Sequence, residues 1–239
     1  MPDLLGLYYV CHRFCPCGSG QPLHRDKMEN AAVAYCRNRW RCTLREVDET
    51  ATIGLIRHGI TDWNVQNRAQ GRSDIPLNAE GRQQAQRVAE RLKRESWEII
   101  ISSPLIRARA TAQIIAEGIS VLDIMEDERI CEIDCGHIEG TTEEDRLLTW
   151  GHSWREMDLG MERYEDVAER GTQFLEEIMH AYENKNVLVV SHGAVIGLSL
   201  QKLLPQRFAA TYMDNASLTL LTKSNGEWNC PLFNCTKHL

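Results

Sequence analysis

From Thr52 onward, short apolar runs alternate with stretches whose apolar residues recur at helical spacing. Ile53–Ile56 reads as a first, buried strand. A loop rich in Asn, Gln, Gly and Asp follows, through Pro76. "NAEGRQQAQRVAERLKRE" then places Ala85, Val88, Ala89 and Leu92 on one helical face, with Asn78 as N-cap. "WEIIIS" predicts a second strand. After it, Ser103-Pro104 reads as N-cap and first helical residue of a helix that stops near Gly118. "VLDIM" is a third strand. Residues 126–163 are acidic and irregular, without a clean period. "YEDVAERGTQFLEEIMHAY" returns to helix, with Val167, Phe174, Leu175, Ile178 and Tyr182 on one face. "NVLVV" is a fourth strand, followed at once by Ser191-His192-Gly193 and a helix to Leu204. "SLTLLT" and "GEWNCPLF" supply late strands. Such alternation predicts an α/β fold around a largely parallel sheet.

The totals narrow the function classes. The chain of 239 residues is long enough for a sizeable core, and 43% hydrophobic with 26% charged residues is ordinary for a globular protein. A net charge of −7, its acidic excess lying beyond residue 50, argues against a nucleic-acid binder. No run approaches the roughly 18 apolar residues of a membrane span, and "LLGLYYV" lacks the basic leader of a signal peptide. Nine irregularly spaced cysteines with no export signal fit a reducing cytoplasm. Cys11, Cys15, Cys17, Cys36 and Cys42 fall near the start, with His12 and His24. Their spacing matches no zinc knuckle, although thiolates and imidazoles are zinc's usual ligands. Residues 1–50 read as an extension, or as the product of a start that belongs at Met28, and residues 51–239 as the main domain.

The ends of the strands carry the chemistry. Arg57-His58-Gly59 and Ser191-His192-Gly193 both stand where an apolar strand stops. In open α/β sheets, ligands bind outside the carboxyl ends of the strands, so the two triplets can meet in one site. Arg107 lies in the first turn of a helix that follows a strand, where free N–H groups suit an anion. Two arginines match a phosphoryl dianion through paired hydrogen bonds. A neutral histidine is a competent nucleophile toward phosphorus, and a second one can stabilise charge on the equatorial oxygens. The constellation implies phosphoryl transfer. Glu132, in "RICEIDCGHIEG", is the candidate proton donor to the leaving alcohol. A carboxyl group beside a bound phosphate dianion is favoured in the protonated state that this task needs. The glycines after each histidine would let substrate approach the backbone.

These pieces resemble the histidine phosphatases, the superfamily that also contains the cofactor-dependent phosphoglycerate mutases. The matching stretches are "LIRHGITDWN", "RAQGRSDIPLNAEGRQQA", "SSPLIRARATA", "CEIDCGHIEG", "GMERYEDVAER" and "VVSHGAVI", spanning roughly residues 52 to 222. The resemblance implies a three-layer α/β/α sandwich of the phosphoglycerate mutase type, its central sheet mostly parallel. It implies that His58 becomes a transient phosphohistidine, that Arg57, Arg107 and His192 hold the phosphoryl group, and that Glu132 donates the proton. Asn64 matches a position that contacts phosphate. Thr61 and the Gln70-Gly71 pair border the pocket, and Gly193 adjoins it. No metal or organic cofactor is implied, and the partner is a small phosphomonoester, not nucleic acid or membrane.

This chain departs from the family at Ile60, Ile138 and in "GMER", which bear on the leaving-group pocket. A mutase must keep water away from the phosphorylated histidine and bind a doubly charged acid. The stretch around Glu132 lacks the "RLNERHYG" type of sequence and following lysine of the mutases. "EEDRLLTWGHSWREMDLG" offers only isolated Arg146 and Arg155, and "QGRSDIPL" resembles the phosphatase form of its loop. Hydrolysis of a small phosphorylated metabolite is the expectation; mutase activity, or a non-catalytic phospho-ligand binder, are the alternatives. Cys131 and Cys135 flank Glu132, as small apolar fillers or, if a thiolate is exposed there, as a redox switch. Trp150, Trp154, Tyr164 and His152 read as an apolar lid or as the core of a small helical cap.

Overall fold

A computed structural model describes residues 51–239. The expectations for residues 1–50 lie outside the described residues. Strands β1 (Thr52–Arg57), β2 (Ile99–Ser102), β3 (Ile124–Glu126), β4 (Asn186–Ser191), β5 (Leu218–Ser224) and β6 (Glu227–Cys235) form one sheet in the order β3-β2-β4-β1-β5-β6. The first four of that order run parallel, and β5 and β6 add an antiparallel edge. Successive strand residues face opposite sides, so a run apolar at every position must be covered on both. Ile53 and Leu55 of β1, with Val187 and Val189 of β4, meet Phe174 and Ile178 of α5 (Tyr164–Ala181) and Ile196 and Leu200 of α6 (Gly193–Leu203). Ile56, Leu188 and Val190 face the other way, onto α2 (Ala79–Leu92) and α3 (Ile106–Ile119). The result is the α/β/α sandwich with a mostly parallel sheet that the sequence predicts.

Two expectations about α3 change. Ser103 does not cap it: the helix opens at Ile106 behind an extended Leu105, and the Ile106 N–H donates to Asp74 Oδ1 at 2.6 Å. A side chain from the preceding loop thus supplies the missing acceptor, which frees the Ser103 hydroxyl for other use. Nor does Gly118 end the helix. It lies inside it, where a Cβ would come within 2.6 Å of Ala89 Cβ, so glycine permits α2 and α3 to pack closely; the turn comes at Ser120, in the left-handed region.

The irregular stretch 126–163 is better ordered than its pattern suggests. It contains α4 (Glu143–Trp150), opened by a capping box between Thr142 and Asp145, and three single 3-10 turns. The earlier loop also holds α1 (Asp62–Val65), capped by Thr61. Ile133, Ile138, Trp154, Leu159, Val167 and Val195 form a separate apolar cluster beneath α4. Trp154 is buried there with its indole N–H donating to Glu143, so it is core of a cap; Tyr164 is exposed. No helix among the described residues is long and apolar enough to cross a membrane.

Candidate active site

The parallel register sets Arg57 beside Ser191, so the two triplets emerge side by side at the carboxyl edge of the sheet. His58 and His192 follow, both buried, with ring centroids 5.2 Å apart. The backbone N–H of His58 continues the ladder to Ser191 O at 2.9 Å. His58 Nδ1 lies 2.7 Å from the Gly59 carbonyl, which can only accept. Nδ1 therefore carries the proton, and Nε2 presents a lone pair. Burial, then Arg107 and Arg57 nearby, hold the His58 pKa well below the ordinary imidazole value. Burial and the same cationic surroundings lower that of His192 as well.

Arg107 is 0% exposed. Its two terminal nitrogens donate to Gly71 O at 2.7 Å and Ser73 O at 2.8 Å, tying the Gln70-Gly71 loop to the start of α3. Arg57 donates through Nη1 to the Met213 carbonyl. Three buried polar atoms at this spot, Arg57 Nε, Arg107 Nε and His192 Nδ1, have no partner among the described residues. Two are certain donors, and buried polar groups in folded proteins are ordinarily paired. They create a local demand for an anion.

Glu132 sits against the first turn of α6. Its carboxylate accepts from the N–H groups of Ala194, at 3.2 and 3.3 Å to its two oxygens, of Val195 at 3.3 Å, and of its neighbour Ile133 at 3.0 Å. Helix N-termini favour negative charge. Glu132 is also the leading source of negative potential at Arg107, so this carboxylate, both arginines and both histidines converge.

The flanking residues form a brace. Thr61 Oγ1 donates to Gln70 Oε1 at 3.0 Å, and Asn64 Oδ1 accepts from the Thr61 N–H at 3.1 Å. Asn215 Nδ2 lies 3.0 Å from His58 O and 3.3 Å from Asn64 Oδ1, which links Asn64 to the end of β1. Gly71 has φ +51°, and a Cβ there would fall 2.0 Å from Glu139 Oε1. Gly193 faces the Arg57 guanidinium, a Cβ on it standing 3.4 Å from Nε. Gly59 has a different duty from the one expected. A Cβ on it would sit 2.4 Å from Gly81 O, so it admits the backbone of α2 rather than a substrate.

Four further residues enter that pattern reasoning missed. Ser103 Oγ pairs with His192 Nε2 at 2.8 Å. Glu139 accepts from the N–H groups of Arg72 and Ser73 at 2.7 and 3.1 Å and holds the Gly71 turn. Glu162 and Arg170 pair with each other beneath Glu132. The signals in the chain are slight: Ser103 reads as a helix cap, and nothing in the pattern singles out Glu139, Glu162 or Arg170 among the many charged residues around them. Cys131 and Cys135 are buried, and burial raises their thiols to about 11 and about 12, which suits fillers and not a redox switch.

Comparison with known proteins shows the family to which the chain belongs. The family model described as histidine phosphatase superfamily (branch 1) matches residues 53–236. The uncharacterized phosphatase PhoE of Bacillus subtilis is 38% identical over 187 residues, covering 77% of this chain and 95% of that protein. GpmB of Escherichia coli, named a probable phosphoglycerate mutase, is 38% identical over 159 residues, covering 63% and 73%. Among solved structures, a phosphoserine phosphatase mutant from Entamoeba histolytica in complex with phosphoserine superposes with TM-score 0.68 at 32% identity, over 79% of this chain and 99% of that one. These phosphatase-named relatives support phosphatase activity here, and the chain belongs to the histidine phosphatase superfamily.

Proposed function

We propose that this protein hydrolyses the phosphomonoester of a small metabolite through a phosphohistidine at His58. The observation that carries the reading is the lone pair of His58 Nε2 set among buried, unpartnered donors of Arg57 and Arg107. In the first step Nε2 attacks phosphorus, the N–P bond forms, and the ester O–P bond breaks. Glu132 gives its proton to the departing alkoxide oxygen. Arg57, Arg107 and His192 bind the equatorial oxygens, where charge is spread in the transition state. In the second step water attacks phosphorus and Glu132 takes a proton from it; a new O–P bond forms as the N–P bond breaks, its electron pair returns to His58 Nε2, and phosphate leaves. Asn64, Thr61, Gln70, Gly71 and Gly193 frame the phosphoryl pocket.

Arginines supply the positive charge in this scheme, so no metal ion is required. Hydrolysis is favoured over mutase activity by the cap. Arg146 and Arg155 both pair with Glu143, at 3.1 and 3.0 Å, and both stack on Trp154. Arg146, 11% exposed, is committed to the cap, so of the two the exposed Arg155 alone is open to a second anionic group of the substrate. The four cysteines among the described residues are unpaired, which fits a reducing cytoplasm.

The test is phosphate release from p-nitrophenyl phosphate in the presence of a chelator, wild type against His58→Ala. Phosphoglycerate isomerisation, with and without a bisphosphoglycerate primer, is measured in parallel. Chelator-resistant hydrolysis lost in the variant is expected. Isomerisation without hydrolysis would establish the mutase instead, and activity surviving His58→Ala would remove the nucleophile assignment.

A further inference from the structure

The loop that carries Glu132 has no regular structure of its own between the turn ending at Ile130 and the one opening at Gly136. Glu132 must nevertheless hold its carboxylate steady, because proton transfer to a leaving group depends on placement. The side chain that meets this need is Arg170, in the second turn of α5. All five of its N–H groups are engaged in one direction. Nε and Nη2 donate to the two oxygens of Glu162 at 2.7 and 2.9 Å. Nη1 donates to the carbonyls of Arg129 and Cys131, both at 2.7 Å, and Nη2 also reaches the carbonyl of Glu132 at 3.3 Å. Glu162 completes the frame by accepting from the N–H of Asp134 at 3.1 Å. The backbone is therefore gripped on both sides of residue 132, by carbonyls before it and an amide after it.

We propose that Arg170 and Glu162 are positioning residues for proton transfer at Glu132, fixing its backbone while α6 fixes its carboxylate. The inference rests on the reading of Glu132 as the acid. It goes beyond that reading by assigning a catalytic consequence to an ion pair that touches neither substrate nor phosphorus. Helix anchoring alone would need the Arg170–Glu162 pair but not the three carbonyls around the acid. A lysine carries the same charge but cannot make this planar fork.

The leaving group separates positioning from mere stability. p-Nitrophenolate departs without a proton, whereas the alkoxide of β-glycerol phosphate needs one. Four proteins are compared on both esters through kcat/KM, which reports the step up to leaving-group departure: wild type, Glu132→Gln, Arg170→Lys and Glu162→Gln. Glu132→Gln should lose on the order of 10²-fold or more on the alkyl ester and far less on the aryl ester. Arg170→Lys and Glu162→Gln should show the same selective loss, on the order of 10- to 100-fold, since a displacement of about 1 Å suffices for that. Thermal melts identify a variant that fails to fold, and the other of the pair then decides. Equal losses on both esters, or none on either, in these two variants would overturn the positioning role while leaving Glu132 as the acid. Absence of selectivity in Glu132→Gln itself would remove the acid assignment, and the positioning proposal with it.

Discussion

The imidazole of His58 is neutral before any substrate arrives, because its burial and two neighbouring guanidinium groups all oppose a second proton. Its hydrogen bond to the Gly59 carbonyl places the proton it does carry on Nδ1. Nitrogen NMR of the rings should accordingly show His58 with Nδ1 protonated and Nε2 bare, and still so as pH falls below the ordinary imidazole value. Titration near 6.5 would contradict the buried, cation-flanked environment. Arg107 makes a second prediction at this scale. Its guanidinium spans the Gly71 and Ser73 carbonyls with its terminal nitrogens and leaves Nε unpartnered. Lysine supplies the charge and three N–H donors, but all from one nitrogen and not in the planar fork that spans these positions. Arg107→Lys should therefore lower kcat by about 10²- to 10³-fold, the usual cost of a preorganised transition-state donor. Steady-state kinetics within a few-fold of wild type would place Arg107 outside the phosphoryl pocket.

Among the elements, the approach of α2 to the His58 loop is a tight contact of backbone on backbone. Gly59 and Gly81 meet backbone to backbone, and a Cβ on Gly81 would fall 2.1 Å from Ile60 O. Gly81→Ala must push the helix off the His58 loop, for an expected cost of about 1–3 kcal/mol in urea denaturation together with reduced turnover. Unchanged stability and activity would show that the loop can yield. This contact also marks the boundary of what the chain discloses by pattern. Strand ends, helix faces and the two histidines were legible because burial on both faces writes continuous apolar runs, and Arg57-His58 and Ser191-His192 interrupt them abruptly. α4 was not legible, since none of its residues is buried; it is set by a capping box and by the Trp154 cluster beneath it. Arg170 was invisible for a related reason. Three of its four partners lie 38 to 41 positions away and are backbone carbonyls, which have no sequence identity to read.

At the scale of the whole molecule, the site's electrostatics must appear in folding stability. His58 and His192 have folded pKa values well below 6.5, and burial lowers that of His238 too. In the unfolded chain all three titrate near 6.5. Below that pH the unfolded state binds more protons than the folded one, so unfolding free energy must decline as pH falls. The contribution is present above 6.5 and is lost progressively toward the folded pKa values. The depressed carboxylates act in a lower window. Asp127, held down by Arg129, and Glu162, held down by Arg170, stabilise above their ordinary values of 3.8 and 4.5 and lose that contribution only as pH drops further. Between pH 6.5 and about 5 the slope thus belongs mainly to the imidazoles. Urea denaturation at a series of pH values should show stability falling across this window in wild type. His192→Asn should flatten the fall, because the variant lacks one of the buried groups that the unfolded chain protonates. A flat wild-type profile, or an unaltered slope in the variant, would mean that the two imidazoles are not held neutral by the fold, and the nucleophile would need another source of its free lone pair.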